Sequence, residues 1–344
     1  MLRRILLGIL VVVALLGITT VVRYQIWLAE TVERLESGST VVRTAGGDIE
    51  YASWGDAGPA ILFLHGTPGG YDQAVRMGTI ASAAGYRVVA PSRPGYLRTP
   101  LEVGLTPAEQ ADAFALLLSA LDIERAAVVG ASGGGPSALQ FALRHPDRCW
   151  AHVQLMGVSR ARLPSEGRRG SADGEREEAE PTFSARLLSS NFGGWVLGQL
   201  AQLNPESTLE RIVPDPANRA RILDDPRKLD GFLALVNSAT ALQERRRAGA
   251  RNDSRQFDDL VVPDLASIRC PTLVLHGTAD RNVPIAMGEL VAEGVPGAEM
   301  IRFEDADHFM ILSHAEEVML ALFAFTDRHA GLSPDRPRGA PFGQ

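Results

Sequence analysis

A glycine-rich turn, Gly130-Ala131-Ser132-Gly133-Gly134, follows the apolar run "RAAVV" and precedes a helical pattern. Such a turn either cradles a phosphate or mounts a catalytic side chain. A P-loop needs a Gly-Lys-Ser/Thr run, and no lysine is near; a dinucleotide fingerprint needs glycine where this chain has Ser132. The sequence therefore favours Ser132 as a mounted nucleophile.

The spacing G-x-S-x-G meets the steric needs of such a mount. A serine on a sharp strand-to-helix turn projects its hydroxyl above the sheet. Side chains two residues before and after it would collide, so Gly130 and Gly134 suit the bend. The N–H of Gly133, at the start of the helix, is predicted to point at an oxyanion that develops on a substrate.

A serine hydroxyl needs a base, and the base needs an acid to orient it. His308, in "EDADHFM", lies on a loop between the last strand and the last helix, where a base can reach Ser132. Asp280, in "LVLHGTADRNVP", follows a late strand and is the predicted acid. Asp305 and Asp307 are interpreted as loop solvation and capping of the final helix. The other histidines lie at strand ends, within a strand or on helices: His65, His145, His152, His276, His314 and His329.

A second oxyanion donor is expected from a loop after another strand. "LFLHGTPGG" supplies a glycine-rich loop, and the backbone N–H of Thr67 is assigned beside that of Gly133. Each donor is expected to stabilise the transition state by roughly 3 kcal/mol.

These residues must be positioned by a sheet. Continuous apolar runs separated by helices predict an α/β fold whose parallel sheet is covered on both faces, with its site at the carboxyl ends of the strands. The segment 160–261 breaks this rhythm and predicts a helical cap. Aromatic residues in the cap either line an apolar acyl pocket or pack the cap onto the core: Phe183, Phe192, Trp195 and Phe232.

The N-terminus predicts contact with a membrane. Residues 5–22 carry no charge and would rise about 27 Å as a helix, close to the hydrocarbon thickness of a bilayer. Arg23, Tyr24 and Trp27 suit the interface. We therefore predict an uncleaved anchor with the catalytic domain outside the cytoplasmic membrane; the alternative is a secreted protein released from a cleaved signal peptide.

The chain thus divides into five predicted parts. They are an anchor or signal peptide (1–28), a spacer (29–39), a catalytic domain in two segments (40–159 and 262–329), the cap (160–261) and a disordered tail (330–344).

The net charge of −7, without a dense basic stripe, argues against nucleic acid as a partner. The only two cysteines, Cys149 and Cys270, are too few for a disulfide scaffold or a four-cysteine zinc site. They are either two buried thiols or one disulfide, if the domain lies in an oxidising compartment. The oligomeric state is left open.

Five blocks in this order resemble the α/β-hydrolase superfamily: "HGTPGG", "SRPGY", "GASGGG", "HGTADRNVP" and "DADHF". The resemblance spans about residues 40–160 and 262–328. It implies an eight-stranded, mostly parallel sheet with helices on both faces and a cap inserted after the sixth strand. It also implies Ser132 as nucleophile, Asp280 as acid, His308 as base, and Thr67 and Gly133 as oxyanion donors.

The chemistry implied is acyl transfer to water, with no metal or organic cofactor. A carboxylic-ester hydrolase is the first expectation. "HGTPGG" also resembles proline iminopeptidases, but those usually carry Trp-Gly-Gly after the serine, where this chain has Gly-Gly-Gly. Haloperoxidase-like and C–C bond hydrolases remain open, as does a membrane-tethered binding protein on a hydrolase fold. The expected partner is a small-molecule ester or amide.

Overall fold

A computed structural model describes residues 1–163, 186–187 and 189–332. Its centre is one eight-stranded sheet in the order β1-β2-β4-β3-β5-β6-β7-β8. The strands are β1 (Thr40–Thr44), β2 (Gly47–Trp54), β3 (Ala60–Leu64), β4 (Arg87–Pro91), β5 (Ala126–Ala131), β6 (Cys149–Leu155), β7 (Thr272–Gly277) and β8 (Glu299–Phe303). The pairs β1–β2 and β2–β4 are antiparallel and all other pairs are parallel, which confirms the predicted fold class.

Helices cover both faces of the sheet. The helices outside the cap are α1 (Leu2–Ser37), α2 (Val75–Ala83), α3 (Pro107–Ala120), α4 (Gly135–Arg144), α10 (Ile285–Gly294), α11 (Met310–Ser313) and α12 (Ala315–Ala330). Between β6 and β7 lie the cap helices α5 (Asn191–Leu203), α6 (Pro205–Ile212), α7 (Pro216–Leu223), α8 (Pro226–Thr240) and α9 (Gln243–Asp258). Thr106 is the N-cap residue of α3, and its side chain forms a capping box with Glu109.

The continuous apolar runs are explained by burial on both faces. Every residue of β3, β5 and β7 is buried. Because successive side chains of a strand point to opposite faces, Leu62 and Leu64 join the cluster under α3 and α4. Ile61 and Phe63 join the cluster under α2 and α12. The sheet is therefore a rigid platform whose strand ends can hold a site.

The cap folds around a small core of its own. Of the five cap helices that the structure describes, four begin with a side chain that accepts a backbone N–H of the first turn: Ser190, Asn204, Asp215 and Asp225. Three of these caps are followed by proline, which is tolerated at the first helical position. Phe232 and Ile222 pack in this core against Leu312 of α11. The cap is thus attached to the same segment that follows the loop of His308.

The N-terminal helix runs without a break through the predicted spacer. An 18-residue window of α1 has a mean hydropathy of 3.0 and none of it is buried. By length and composition it suits either a membrane span or a signal sequence. Its last turns dock on the body, where Thr31 and Leu35 are buried and Tyr71 donates a hydrogen bond to the Leu35 carbonyl at 2.7 Å. The predicted tail lies outside the described residues from 333 onward.

The cap aromatics pack against other elements. Phe192 and Trp195 of α5 contact Tyr24 of α1, with ring centroids 5.2 and 5.7 Å apart. Phe232 is fully buried in the cap core. Phe183 lies outside the described residues. The structure therefore favours the packing interpretation for Phe192, Trp195 and Phe232.

The two cysteines are neighbours at the amino ends of the parallel strands β6 and β7. Cys149 opens β6 and Cys270 lies two residues before β7. Both are buried free thiols, and their Sγ atoms are 3.2 Å apart.

Candidate active site

Ser132 occupies the turn between β5 and α4. Its φ is +48°, a left-handed conformation that is costly for a non-glycine residue. A Cβ on Gly130 would lie 2.5 Å from that of Ala138, and one on Gly134 would overlap the carbonyl oxygen of Leu64. The backbone therefore requires glycine at both places, for the predicted steric reason.

Gly133 and Thr67 meet beside the serine. A Cβ added to Gly133 would overlap Thr67 Oγ1, so the turn after β5 and the loop after β3 are in close contact. Gly133 lies in the short 3₁₀ turn Ser132–Gly134 that leads into α4, where N–H groups at the start of a helical segment have no partner within it. The two predicted oxyanion donors thus lie on adjoining backbone segments. Gly135 packs the helix on the sheet edge, since a Cβ there would lie 2.5 Å from the Val158 carbonyl oxygen.

The structure brings Ser132, His308 and Asp280 into one hydrogen-bonded chain. His308 Nε2 lies 3.0 Å from Ser132 Oγ, and its Nδ1 lies 2.7 Å from Asp280 Oδ2. His308 follows β8 and Asp280 follows β7, so the three side chains come from the carboxyl ends of three different strands. The imidazole side chain is 13% exposed and the carboxylate is fully buried.

The backbone fixes Asp280 in place. Its Oδ1 accepts the N–H groups of Asn282 and Val283, each at 2.8 Å, which leaves Oδ2 for His308. His276 also lies beside it, with Nε2 3.6 Å from Oδ2 and 2.9 Å from the Val283 carbonyl oxygen. Burial lowers the pKa of His276, so this ring is neutral and donates to the carbonyl. The acid therefore has one orientation.

The neighbouring acids Asp305 and Asp307 do not reach the ring. Asp307 Oδ1 accepts the N–H of Phe309 at 2.8 Å. The final helix α12 begins after His314 without a side-chain cap, so the prediction that these acids cap it is wrong. Asp307 is only 4% exposed, so it does not solvate the loop either, and burial raises the pKa of its carboxyl. Asp305 adopts a φ of +58°, and its carbonyl accepts from Asn218 of the cap.

A buried polar cluster behind Thr67 escaped the sequence analysis. Arg93 and Asp253 form an ion pair whose side chains are 1% and 4% exposed, and Tyr96 donates to the same carboxylate at 2.5 Å. Arg93 and Tyr96 belong to the block "SRPGY", to which no role was given. Asp253 lies on cap helix α9 within "RNDSRQF", and no motif marks it.

Burial decides the protonation of this cluster. It raises the pKa of Tyr96 well above its ordinary range, with the charge of Asp253 adding to the effect. Burial opposes the charge on Arg93, but Asp253 outweighs it and raises the guanidinium pKa. His65, against the same arginine, has its pKa lowered strongly by burial and then by that charge. The cluster thus consists of the Arg93–Asp253 ion pair and the neutral rings of Tyr96 and His65.

Among the described residues, no cluster of three or more His, Cys, Asp or Glu side chains is arranged to hold a metal ion.

Comparison with known proteins agrees with this architecture. The family model described as the alpha/beta hydrolase fold matches residues 59–315. A solved alpha/beta hydrolase fold protein from Nakamurella multipartita is 32% identical with a TM-score of 0.69, covering 85% of this chain and 99% of its own.

Two curated relatives carry names of different reactions. The pimeloyl-[acyl-carrier protein] methyl ester esterase of Aromatoleum aromaticum is 31% identical over 75% of this chain and 94% of its own length. The 2-hydroxy-6-oxononadienedioate/2-hydroxy-6-oxononatrienedioate hydrolase of Paraburkholderia xenovorans is 29% identical over 82% of this chain and 92% of its own. With the family model covering most of the chain and an eight-stranded, mostly parallel sheet as expected, this protein belongs to the α/β-hydrolase family.

Proposed function

We propose that the protein is a serine hydrolase that transfers an acyl group to water through Ser132. The observation that carries this proposal is the hydrogen-bonded chain from Ser132 Oγ through His308 to Asp280, with the serine held at positive φ. A strained, preorganised side chain joined to a base and a buried acid is the arrangement that nucleophilic catalysis requires.

The proposed mechanism has two halves. His308 Nε2 takes the proton of Ser132 as Oγ attacks the substrate carbonyl, while Asp280 stabilises the imidazolium through Nδ1–H. The N–H groups of Thr67 and Gly133 hold the oxyanion of the tetrahedral intermediate. His308 then gives the proton to the leaving group, and an acyl-enzyme remains. In the second half His308 takes a proton from water, the water attacks the acyl carbonyl, and Ser132 Oγ leaves and takes that proton back.

We propose carboxylic esters as the substrates. The esterase of A. aromaticum supports this choice, while the dienedioate hydrolase of P. xenovorans supports a C–C bond hydrolase as the second candidate. In a C–C hydrolase the leaving group is a carbanion or enol, so the substrate must carry a carbonyl that stabilises it. Attack of Ser132 on a carbonyl carbon begins both ester hydrolysis and C–C bond hydrolysis, so the geometry of the site is compatible with both.

A substrate panel tests this proposal. The purified protein is assayed with p-nitrophenyl esters of increasing acyl length, with prolyl amides, and with a vinylogous 1,5-diketo acid as the C–C substrate. We expect kcat/KM to be highest for an ester. Faster turnover of the amides or of the diketo acid would replace the ester proposal by the iminopeptidase-like or the C–C alternative.

We also propose that α1 remains in the protein as a membrane anchor, with the hydrolase domain outside the cytoplasmic membrane. The exposed apolar window of α1 supports the anchor, and Arg3 and Arg4 against the single Arg23 support the orientation. Alkaline phosphatase fused to the C-terminus, which is active only outside the cytoplasm, is expected to be active. A green fluorescent protein fusion that fluoresces while the phosphatase fusion is inactive would reverse the orientation.

A further inference from the structure

Among the described residues of the cap, Asp253 is the one whose side chain forms a hydrogen bond with Thr67 of the predicted oxyanion loop. It comes from α9 and accepts from Thr67 Oγ1, from both terminal nitrogens of Arg93 and from the Tyr96 hydroxyl. All three donors belong to the core domain, on the loops after β3 and β4. The buried Asp253 carboxylate thus connects helix α9 to two core loops.

Arg93 carries the connection further into the loop. Its Nε donates to the His65 carbonyl at 2.9 Å, its Nη2 donates to Thr67 Oγ1 at 2.9 Å, and its own backbone N–H donates to His65 Nε2 at 2.9 Å. The guanidinium is buried, so its charge requires the carboxylate of Asp253 beside it. Thr67 is therefore held from two sides, through its hydroxyl and through the carbonyl that precedes it by two residues.

We propose that Asp253 is a positioning residue that sets the direction of the Thr67 N–H in the oxyanion hole. This inference rests on the proposed function. An oxyanion hole acts only when its donors are already aimed at the developing charge, and a displacement of about 1 Å costs about 100-fold in rate. Helix α9 of the cap would then help to hold the oxyanion hole in its active geometry.

The chain offers a matched control. Arg246 and Asp72 form a second buried ion pair between the same helix α9 and the same core region, with side chains 2% and 10% exposed and Nη2 2.9 Å from Oδ2. Arg246 also donates to the Gly69 carbonyl at 2.6 Å. Asp72 is not among the partners of Thr67 or Arg93. Asp72→Asn weakens a comparable attachment of the cap without removing any hydrogen bond of Thr67 or Arg93.

The test compares Asp253→Asn with Asp72→Asn. For Asp253→Asn we expect kcat on a p-nitrophenyl ester to fall about 10- to 100-fold with KM within about twofold. The rate of fluorophosphonate labelling should fall by a similar factor. Asp72→Asn should lower Tm to a similar extent, but its kcat should stay within about twofold of wild type. Equal kcat losses in both variants, or an unchanged kcat in Asp253→Asn, would overturn the proposal.

A milder pair of variants covers the case in which Asp253→Asn does not fold. Thr67→Val removes the hydroxyl that contacts Asp253 and leaves the Arg93–Asp253 pair intact, and Thr67→Ser restores that hydroxyl. We expect Thr67→Val to lose kcat and Thr67→Ser to recover most of it, while wild-type kcat in Thr67→Val contradicts the role of the hydroxyl. If the wild-type protein does not label with the fluorophosphonate, the proposed function is wrong, and the inference about Asp253 falls with it. If the wild type labels but the variants do not differ as expected, the inference about Asp253 alone is wrong.

A second inference concerns the two thiols. Cys149 and Cys270 lie 121 positions apart in the chain, yet their Sγ atoms are in contact at 3.2 Å. They sit at the neighbouring parallel strands β6 and β7, between which the whole cap is inserted. Strands in a sheet lie about 4.8 Å apart, within the Cα range that a disulfide spans.

We infer that these thiols form a disulfide that joins the amino ends of β6 and β7, and so closes the chain segment that contains the cap, when the domain is exported. This inference rests on the proposed placement outside the cytoplasm. Cys270 Sγ, as thiolate, attacks the disulfide of an oxidant such as oxidised glutathione and releases one thiol of the carrier. Cys149 then loses its proton and attacks Cys270 Sγ, which releases the second. The carrier gains two electrons, and the protein loses two hydrogen atoms.

The local environment supports this order of attack. The hydrogen bond with Cys149 lowers the pKa of Cys270, whereas burial raises that of Cys149 well above its usual range. Cys270 is also the more exposed of the two, at 7% against 1%.

Oxidation of the purified, reduced protein tests the bond independently of its location. After incubation with oxidised glutathione we expect the intact mass to fall by two hydrogen atoms, maleimide labelling in denaturant to disappear, and Tm to rise by several degrees. Cys149→Ser should keep one reactive thiol or carry a glutathione adduct. Two free thiols in the treated wild-type protein, or a stable adduct in place of the mass loss, would overturn the inference.

Discussion

At the scale of single residues, the protein places strain and burial where the proposed chemistry needs them. Ser132 is held at positive φ, and Asp280 is buried with both oxygens engaged. The sequence was enough to propose these residues, because each follows a strand in a recognisable block. It did not suffice to find Asp253, since nothing in a charged helical stretch shows which carboxylate turns inward toward a buried arginine.

The acid is predicted to orient the base. In Asp280→Asn, the backbone N–H groups of Asn282 and Val283 still bind the side-chain oxygen, so the amide NH₂ faces His308 Nδ1. The ring then presents the wrong tautomer to Ser132, and we expect kcat on esters to fall by about 10⁴ with the fold intact. Steady-state kinetics and circular dichroism check this. A loss smaller than tenfold would show that Asp280 does not orient His308.

At the scale of elements, the turn after β5 depends on backbone contact with β3. A Cβ on Gly134 would overlap the carbonyl oxygen of Leu64 and lie 2.8 Å from that of His65. Neither atom can rotate away, because both belong to the backbone at the end of a central strand.

Gly134→Ala is therefore predicted to destabilise the protein by about 1–3 kcal/mol and to reduce activity, through strain at the nucleophile turn. Gly46→Ala in the β1–β2 hairpin is the control, since its Cβ would meet side-chain atoms alone, the end of Leu116 at 3.0 Å and Thr44 Oγ1 at 3.8 Å. Urea unfolding measures both variants. Equal stability losses in the two would contradict the role given to the backbone contact.

The strand β6 carries a buried histidine that links stability to pH. Both ring nitrogens of His152 lack a hydrogen-bond partner among the described residues, and burial lowers its pKa from 6.5 to about 4. The unfolded chain therefore binds the proton first, so stability is complete above pH 6.5 and is lost as pH falls toward 4. The shift corresponds to about 3 kcal/mol.

His152→Leu is expected to remove this dependence. The variant should show a smaller slope of unfolding free energy between pH 6.5 and pH 4, by up to one proton, and little loss of stability at pH 8, since no hydrogen bond is broken. Urea unfolding across this pH range checks the slope. An unchanged slope would show that His152 is not the titrating group.

At the scale of the whole molecule, the sequence predicts a mostly parallel sheet, a helical insertion before the last strands and an apolar N-terminal helix. How α1 and the cap pack against the rest of the protein does not follow from sequence patterns. The helix α1 continues through the stretch predicted as a spacer because Thr31 and Leu35 find buried positions on the body. The contact of Tyr24 with Phe192 and Trp195 depends equally on tertiary packing that no local pattern encodes.

Removal of residues 2–22 tests the anchor. The deleted segment is exposed throughout, whereas the helical turns that dock on the body are retained. We expect the full-length protein to sediment with membranes and to resist alkaline carbonate, and the truncated protein to be soluble with kcat/KM within about twofold. If the full-length gene instead yields a mature protein whose mass lacks the N-terminal residues, the segment is a cleaved signal peptide.

The central claim is that Ser132 is a nucleophile activated by His308. The most direct measurement is the intact mass of the protein after incubation with a fluorophosphonate. We predict one adduct per chain, located on the peptide that contains Ser132, with none in Ser132→Ala and greatly slowed labelling in His308→Ala. A folded wild-type protein that does not label, or one that labels equally after Ser132→Ala, would contradict the account.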